Sequence, residues 1–454
     1  MSYRVQSRSN LLTIDSKKER FFMIVYVLNK DGQPLMPTKN CTKVRHFLED
    51  NKAKVVKRCP FTIKLLYDTT NYTQDLILSS DTGSCEAGFA VSTIDADKNG
   101  SKHIVYKSKV QVRNDIKTKM DTRRKYRRTR RSRLRYRKPR FENRKNSKKT
   151  NRFSPTMRSK IHSHEKEIEF IKTILPITEI VLEVGQFDTH LMQNSTLANP
   201  KVKHWGYQKG PNYGFANTKA RVLNRDNYQC QYCKTKKNGT KLEVHHIIYR
   251  SQNGSDDAEN LITLCHDCHV ALHQGKIKPS FKGKKNGSLK YATQMNSIRV
   301  QLLKKYPNAI ETFGYITKEN RQLLGLSKDH HIDACVIVTG GNSFIDDTKY
   351  VYCKKTVAKG DYQQTKGHRS EVKMNTDKIC GFKKFDKVKY IDKEYFIKER
   401  MSSGYCILMD IYGNKIDFSY LPKGYKIPKM KNLKRIGARK SCISIAVEYT
   451  LNIH

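Results

Sequence analysis

Two cysteine pairs constrain this chain more than any other feature of its sequence. Cys230 and Cys233 form the first pair, Cys265 and Cys268 the second, and each pair has two residues between its thiols. A C-x-x-C turn lets two thiolates reach one ion, and two such turns complete a closed, tetrahedral zinc site. The 31 residues between the pairs exceed what a plain zinc ribbon needs. Residues 221–275 are therefore predicted to form a zinc-stabilised module whose long loop has a further purpose.

Polar groups inside that module follow an order that suits hydrolytic chemistry. A short apolar strand ends at His245 and His246, Asn260 precedes a second apolar run, and His269 and His273 follow at helical spacing. Residues at i and i+4 share one face of a helix, so the last two imidazoles can meet one ion. A neutral imidazole near pH 7 can also take a proton from water.

This order and spacing resemble the HNH nuclease motif. The resemblance implies that His246 is the general base, and that His245 with one or both of His269 and His273 holds one Mg²⁺ ion. Asn260 would orient the base or complete the metal shell. A divalent cation stabilises the charge that builds on the phosphate during hydrolysis. The alternative is a purely structural zinc module with incidental histidines, which four histidines in the family's order disfavour.

The charge balance indicates a polyanionic partner. The 454 residues carry 89 Lys and Arg against 42 Asp and Glu, a net charge of +47, and nucleic acid fits such an excess best. An anionic membrane is the weaker choice, because the longest clean apolar run, residues 21–28, is too short to span a bilayer. We expect no membrane partner and, since residues 1–10 are polar, no signal peptide. Eight of the 12 cysteines are scattered singly, which suits a reducing compartment.

The densest positive charge lies in residues 121–150, which carry 11 Arg and 5 Lys against two acidic residues. Such a run is most often disordered and solvated. Here aromatic and apolar residues are interleaved and proline is absent until Pro139, so an arginine-rich helix along a nucleic-acid backbone is the alternative. Arginine makes bidentate contacts to phosphate. The candidate contacts are Arg123, Arg124, Arg127, Arg128, Arg130, Arg131, Arg133 and Arg135.

Three acidic residues stand in or beside predicted strands or helices. Asp81 follows a buried strand, Glu183 lies in another strand, and Asp333 opens a helix with His330 one turn before it. Each alone is weak. Asp81 begins an Asp-Thr-Gly-Ser turn, which is also a signature of aspartic proteases, and an Asp at a helix start is often only a cap. The protease interpretation needs a second such Asp or a homodimer, and it explains neither the positive charge nor the zinc module.

Taken in order, these features resemble a RuvC nuclease domain split by an HNH insertion and an arginine-rich bridge helix. The most similar order is that of the IscB family, transposon-encoded, RNA-guided DNA endonucleases related to the large CRISPR effector nucleases. Residues 34–37 resemble the family's PLMP module, and residues 127–131 its R-R-x-R-R signature. Glu183 with residues 186–188 resembles the family's second RuvC motif. The sequence His330-x-x-Asp333-Ala334 resembles its third RuvC motif.

The resemblance implies a multidomain α/β fold. An RNase H-like (RuvC) mixed sheet would be split by the arginine-rich helix and by a zinc-containing ββα-metal HNH domain, and a small C-terminal β-barrel would follow. Short alternating strands after Gly381 are consistent with that barrel. The stretch 286–326 carries no motif. The implied domains are a PLMP module (1–66), RuvC parts I to III (67–117, 151–200 and 286–345), the bridge helix (118–150), HNH (201–285), and a β-rich domain contacting guide RNA and target-flanking DNA (346–454).

The resemblance also implies two nuclease sites and an RNA guide. Asp81, Glu183 and Asp333 would hold two Mg²⁺ ions in the RuvC site. His330, which the spacing to Asp333 favours over His331, would assist water activation. The HNH site would cut the guide-paired strand and the RuvC site the displaced strand, with base pairing choosing the target. The expected partners are a structured guide RNA and double-stranded target DNA, in a monomeric ribonucleoprotein of the prokaryotic cytoplasm, associated with the nucleoid.

Two other interpretations stay open. A guide-independent HNH endonuclease of the homing kind explains the zinc module, but not three acidic residues in order around it. A non-enzymatic RNA-binding protein explains the charge, but not the constellation of histidines and asparagine. Co-purified RNA separates the first from the guided endonuclease, and metal-dependent cleavage excludes the second.

Overall fold

The computed structural model describes residues 24–97, 100–132, 153–193, 195–207, 212–235, 239, 241–252, 254–277, 281–283, 289–358 and 378–449. These residues divide into two compact units. Gln186–Gln294 contribute the smaller unit, and the described residues up to Gly185 and from Met295 onward form the larger one. No helix of the described ranges is long and apolar enough to cross a membrane.

The strands are short and lie mostly in the larger unit. In chain order they are β1 (Tyr26–Leu28), β2 (Ala53–Arg58), β3 (Phe61–Leu65), β4 (Leu76–Asp81), β5 (Glu86–Thr93), β6 (Lys102–Gln111), β7 (Ile177–Glu183), β8 (Leu242–His246), β9 (Leu261–Cys265), β10 (Ile310–Thr312), β11 (Phe344–Asp346), β12 (Tyr350–Thr356), β13 (Lys387–Tyr390), β14 (Lys393–Arg400), β15 (Cys406–Met409), β16 (Lys434–Gly437) and β17 (Cys442–Glu448).

The helices begin and end at recognisable signals. Ser154 caps α3 by accepting a hydrogen bond from the Met157 amide, and Gly340 ends α10 with a left-handed backbone. In chain order they are α1 (Cys41–Glu49), α2 (Ile116–Ser132), α3 (Pro155–Lys172), α4 (Thr189–Gln193), α5 (Pro200–Gly206), α6 (Thr218–Arg225), α7 (His266–His273), α8 (Lys290–Lys305), α9 (Gly314–Leu323) and α10 (His330–Thr339).

A mixed sheet forms the centre of the larger unit, in the order β10-β7-β4-β5-β6-β12-β17, with β11 also paired to β6. All six residues of β4 are buried, as expected of a strand covered on both faces. Leu76 and Leu78 belong to the same core cluster as the apolar residues of α3. Ile77, which points to the other face, packs with residues of α10. The sequence therefore predicted this buried strand correctly.

Two contacts fix α10 against the sheet. A Cβ atom at Gly88 of β5 would lie 1.8 Å from the carbonyl oxygen of His330, so only glycine allows the first turn of α10 to lie on this strand. Ser79 of β4 is buried and donates a hydrogen bond of 2.6 Å to the Ala334 carbonyl. The helix start is thereby held beside the end of β4.

Residues 295–326, which belong to the stretch without a motif, complete this unit. Ile298 and Leu302 of α8 join the main core cluster. β10 pairs with β7 in parallel at the edge of the sheet, and α9 follows it directly. The chain therefore returns from the smaller unit through elements that are built into the central sheet and its core.

Two smaller sheets flank the central one in sequence. β1, β3 and β2 form a three-stranded sheet whose core includes Val44 of α1. β15, β14, β13 and β16 form a four-stranded antiparallel sheet around Val388 and Leu408. Its closure into a barrel stays a prediction. β12 and β17 pair with the central sheet instead, so the segment 346–454 contributes to both sheets.

We predict that Gly88→Ala destabilises the larger unit by about 1–3 kcal/mol, because the added methyl group overlaps the backbone of α10. Thermal unfolding of the variant measures this. Gly437→Ala is the matched control, since its added Cβ would meet only the Lys387 Cβ at an ordinary 3.5 Å. Equal melting temperatures for both variants and the wild type would contradict the close approach of His330 to β5.

Candidate functional sites

The four thiols of the smaller unit converge on one point. The Sγ atoms of Cys230, Cys233, Cys265 and Cys268 all lie within 4.8 Å of one another, and those of Cys233 and Cys265 are 3.7 Å apart. All four are free thiols rather than disulfides. Hydrogen bonding with the Thr235 hydroxyl lowers the pKa of Cys233 to about 6, which favours a thiolate there at neutral pH. Four sulfur donors on two turns fit a structural zinc ion.

Three imidazoles form a second cluster in the same unit. His245 ends β8, and His269 and His273 project from one face of α7, which follows β9 directly. His269 Nε2 lies 3.1 Å from His245 Nδ1 and 3.2 Å from His273 Nε2. One nitrogen from each ring falls within 4.8 Å of the others, so all three can bind one divalent ion. Imidazole ligands without a carboxylate suit a transition metal better than the predicted Mg²⁺, which prefers oxygen.

A carboxylate that sequence analysis missed orients this cluster. Glu243 Oε2 lies 2.5 Å from His269 Nδ1, so an Nδ1–H donated there leaves the Nε2 lone pair facing the other rings. Hydrogen bonding from Lys241, then from His266 and His269, lowers the pKa of Glu243 to about 2. Burial and the neighbouring imidazoles lower the pKa of His245 to about 4, so that ring is neutral at pH 7. Side chains alternate along a strand, so Glu243 and His245 share one face of β8, and this spacing could have identified Glu243 from the sequence.

His246 occupies the opposite face of β8 from His245, because side chains alternate along a strand. Its Nε2 lies 2.8 Å from Asp256 Oδ1, and Arg250 Nε lies 2.7 Å from the same oxygen. Arg250 first, and then His246, hold the pKa of Asp256 below its usual value. The structure thus pairs the predicted general base with a carboxylate that the sequence analysis did not single out.

Asn260 is fully buried, and its carboxamide bonds only backbone among the contacts of the described residues. It accepts a hydrogen bond from the Ile248 amide (3.0 Å) and donates to the carbonyls of Ile248 (2.9 Å) and Ser255 (2.8 Å). The asparagine therefore ties the loop after His246 into one shape. These bonds engage both its oxygen and its nitrogen, so this geometry favours an orienting role over a place in the metal shell.

A third cluster lies in the larger unit, where β4, β7 and α10 meet. The parallel register of β4 and β7 places Asp81 opposite Glu183. His330 Nδ1 lies 2.5 Å from Asp81 Oδ2, and Asp333 stands one turn further along α10. His331 instead is buried, with Nδ1 3.2 Å from Asp329 and its ring edge-on to Tyr449. The structure therefore brings His330, and not its neighbour, to Asp81.

Two carboxylates of this cluster, Glu183 and Asp333, have raised pKa values. Burial, followed by the charges of Asp81 and Asp333, raises the pKa of Glu183 to about 7. Burial and Asp81 raise the pKa of Asp333, and Arg321 opposes that rise. The hydrogen bond with Asp81 raises the pKa of His330. Carboxylate oxygens that repel one another in this way suit Mg²⁺. Among the described residues, however, the tight ligand clusters are those of the cysteines and the three histidines.

Two further residues at this site come from α9, in the stretch without a motif. The Thr317 hydroxyl donates a hydrogen bond of 2.5 Å to Glu183 Oε2. Arg321 Nε lies 2.7 Å from Asp333 Oδ1 as an ion pair, without the alignment of a hydrogen bond. Both side chains are buried and one turn apart. A buried arginine cannot be recognised from sequence until its acidic partner is known.

The arginine-rich stretch is helical as far as the structure describes it. α2 runs over Ile116–Ser132, and Arg123, Arg124, Arg128 and Arg131 are exposed on it, whereas Arg127 is half-buried. Arg133 and Arg135 lie outside the described residues. Exposed guanidinium groups on a rigid helix can reach successive phosphates.

Comparisons with known proteins match two regions of this chain to known families. The family model "RRXRR protein" matches residues 25–210, and the family model "HNH endonuclease" matches residues 230–275. The chain is 39% identical over 74 residues to Anaredoxin of Nostoc sp. (strain PCC 7120), covering 16% of this chain and 90% of that protein. A crystal structure of Streptococcus thermophilus Cas9 in complex with the AGAA PAM aligns at TM-score 0.33 and 12% identity. That alignment covers 54% of this chain and 32% of the Cas9 chain.

The two family matches define a nuclease: HNH domains belong to metal-dependent DNA endonucleases, as the motif predicted. The chain thus contains an RRXRR region followed by an HNH endonuclease region, and these two matches confirm the resemblance to IscB-like endonucleases drawn from the motifs.

We predict that Cys230→Ser or Cys265→Ser releases zinc and unfolds the smaller unit, because ligand binding energy at such a site is folding energy. Elemental analysis gives the zinc content, and hydrogen exchange reports the folding of residues 221–275. Cys85→Ser, an exposed thiol of the larger unit, is the control. Full zinc content with unchanged protection in the Cys230 variant would exclude a zinc-held module.

Proposed function

We propose that this chain is an RNA-guided double-stranded DNA endonuclease of the IscB type. The HNH site cuts the guide-paired strand, and the site of Asp81, Glu183 and Asp333, a RuvC site on an RNase H-like sheet, cuts the displaced strand. One observation carries the proposal: the smaller unit contains three imidazoles that could hold one metal ion, and the larger unit contains a separate group of carboxylates with His330 beside Asp81. Two hydrolytic centres in one chain match a substrate with two strands.

In the HNH site, His246 takes a proton from the attacking water. With its Nε2–H donated to Asp256, the Nδ1 lone pair is the one available to accept that proton. His245, His269 and His273 would hold one divalent cation, which supplies charge stabilisation at the phosphate when bound. Asn260 keeps the loop that carries Asp256 in place. The strand β8 thus supplies the base on one face and a metal ligand on the other.

In the RuvC site, Asp81, Glu183 and Asp333 would hold two Mg²⁺ ions, which supply charge stabilisation on both sides of the scissile bond. His330, fixed by Asp81, assists in removing the proton from water. Thr317 fixes the Glu183 carboxylate, and Arg321 offsets the negative charge at Asp333. The raised pKa of Glu183, about 7, means that this carboxyl is fully ionised only above neutral pH until a cation binds.

The remaining parts serve nucleic acid. The net charge of +47 neutralises a structured guide RNA, a heteroduplex and a displaced strand. The bridge helix α2 contacts guide RNA, and the N-terminal module (1–66) and the β-rich C-terminal domain (346–454), with its proposed barrel, contact guide RNA and flanking DNA. We propose a monomeric ribonucleoprotein of the prokaryotic cytoplasm.

Strand-specific labelling of a target duplex tests the division of labour. We predict that His246→Ala abolishes cutting of the guide-paired strand, and that Asp81→Ala, Glu183→Ala or Asp333→Ala abolishes cutting of the displaced strand. His162→Ala, an exposed histidine of α3, should leave both cuts intact. Loss of both cuts in the His246 variant would argue against independent sites. Cutting without RNA would favour the homing endonuclease.

Replacing Arg127, Arg128, Arg130 and Arg131 by alanine tests the RNA contact of α2. Each lost phosphate contact should lower the slope of log affinity against log salt by roughly 0.7 to 0.9. The matched control has lysine at the same four positions, and should bind better than the alanine variant but less tightly than the wild type, because lysine lacks the bidentate contact. The measurement is filter binding of the co-purified RNA across a salt series. An unchanged slope in the alanine variant would show a solvated charge run.

A further inference from the structure

Helix α9 has two faces with different tasks. Thr317 and Arg321 are buried and contact Glu183 and Asp333. On the other side of the helix Tyr315 is 70% exposed and Leu323 is 79% exposed. Large apolar side chains at such exposure, on a helix that lines an active site, indicate a surface that contacts something else.

The start of α9 lies against the Glu183 carboxylate. A Cβ atom at Gly314 would be 3.0 Å from Glu183 Oε1, a tight contact, so the backbone of Gly314 lies close to this carboxylate. Phe313 and Tyr315 are the chain neighbours of Gly314 on either side. Their rings are parallel within 11°, with centroids 6.1 Å apart. The two parallel rings therefore flank the glycine whose backbone lies close to the Glu183 carboxylate.

We infer that Phe313 and Tyr315 form a stacking platform for unpaired DNA bases next to the scissile phosphate of the displaced strand. The inference rests on the proposed function of the RuvC site. Aromatic side chains hold single strands because every base has a π-face, and stacking tolerates any sequence. The bases of a duplex are already stacked on one another, so an intact duplex offers the platform no free face.

Charge around the platform favours the same occupant. Lys318, one turn after Tyr315, and Lys328, shortly before α10, are both exposed. Their ammonium groups can neutralise phosphates of a bound strand, whereas the carboxylates of the site repel phosphate until cations bind. An exposed lysine one turn from an exposed tyrosine suits a single-stranded polyanion better than an apolar protein surface.

The test uses the full chain with its co-purified RNA and a target duplex in which each strand is labelled separately. The rate of displaced-strand cutting is divided by that of guide-paired cutting in the same reaction. Tyr315→Ala should lower this ratio about tenfold to a hundredfold, the range expected for one lost base–aromatic stack. Tyr315→Phe should keep it, since the ring remains. Tyr72→Ala, another highly exposed tyrosine, is the matched control.

A second measurement separates stacking from misfolding. Abasic nucleotides placed singly around the cut should lower the wild-type ratio at one position by a similar factor, and have little further effect in the Tyr315→Ala variant. Equal ratios for wild type and Tyr315→Ala, or fully additive losses, would overturn the platform while leaving the RuvC assignment standing. A wild type that never cuts the displaced strand would overturn the proposed function, and the platform with it.

Discussion

The larger unit depends on the parallel pairing of β4 with β7. This register places Asp81 directly opposite Glu183 at the ends of the two strands. Both faces of β4 are covered, so a slip of one residue would turn each of its side chains to the opposite face and move Asp81 away from Glu183. The contact of Gly88 with the His330 carbonyl then adds α10 at the same edge. The acidic cluster is thus a consequence of strand register and helix docking, not of neighbouring positions in the chain.

Charge is distributed unevenly for a physical reason. A chain with a net charge of +47 must spread its cations over an exposed surface, because they repel one another and need phosphate to neutralise them. The carboxylates of Asp81, Glu183 and Asp333 are instead partly buried and close together, which raises the pKa of Glu183 to about 7. Burial strengthens their interaction with a cation as much as it strengthens their repulsion. Arg321 and His330 offset part of this repulsion.

The smaller unit uses the alternation of one strand to separate two tasks. His245 faces α7 and the metal-binding imidazoles, whereas its neighbour His246 faces the loop that Asn260 holds. The cysteine cluster lies at the junction of β9 and α7 and so fixes the helix that carries His269 and His273. Loss of the cysteine cluster would therefore also disturb the positions of the His269 and His273 side chains. The short strand β9 and the short helix α7 thus connect the cysteine cluster to the imidazole cluster.

The sequence by itself determined the candidate ligand types and their order, because C-x-x-C pairs, i and i+4 histidines and strand-end acids have spacings set by local geometry. The resemblance of these motifs to a known family then predicted the class of enzyme. The sequence also predicted the buried strand that leads to Asp81. Only the tertiary structure could identify Asp256, Thr317 and Arg321, because a partner's role depends on which distant groups folding brings within hydrogen-bonding reach. It likewise decided between His330 and His331, since one turn of helix rotation separates a ring that meets Asp81 from one buried against Tyr449.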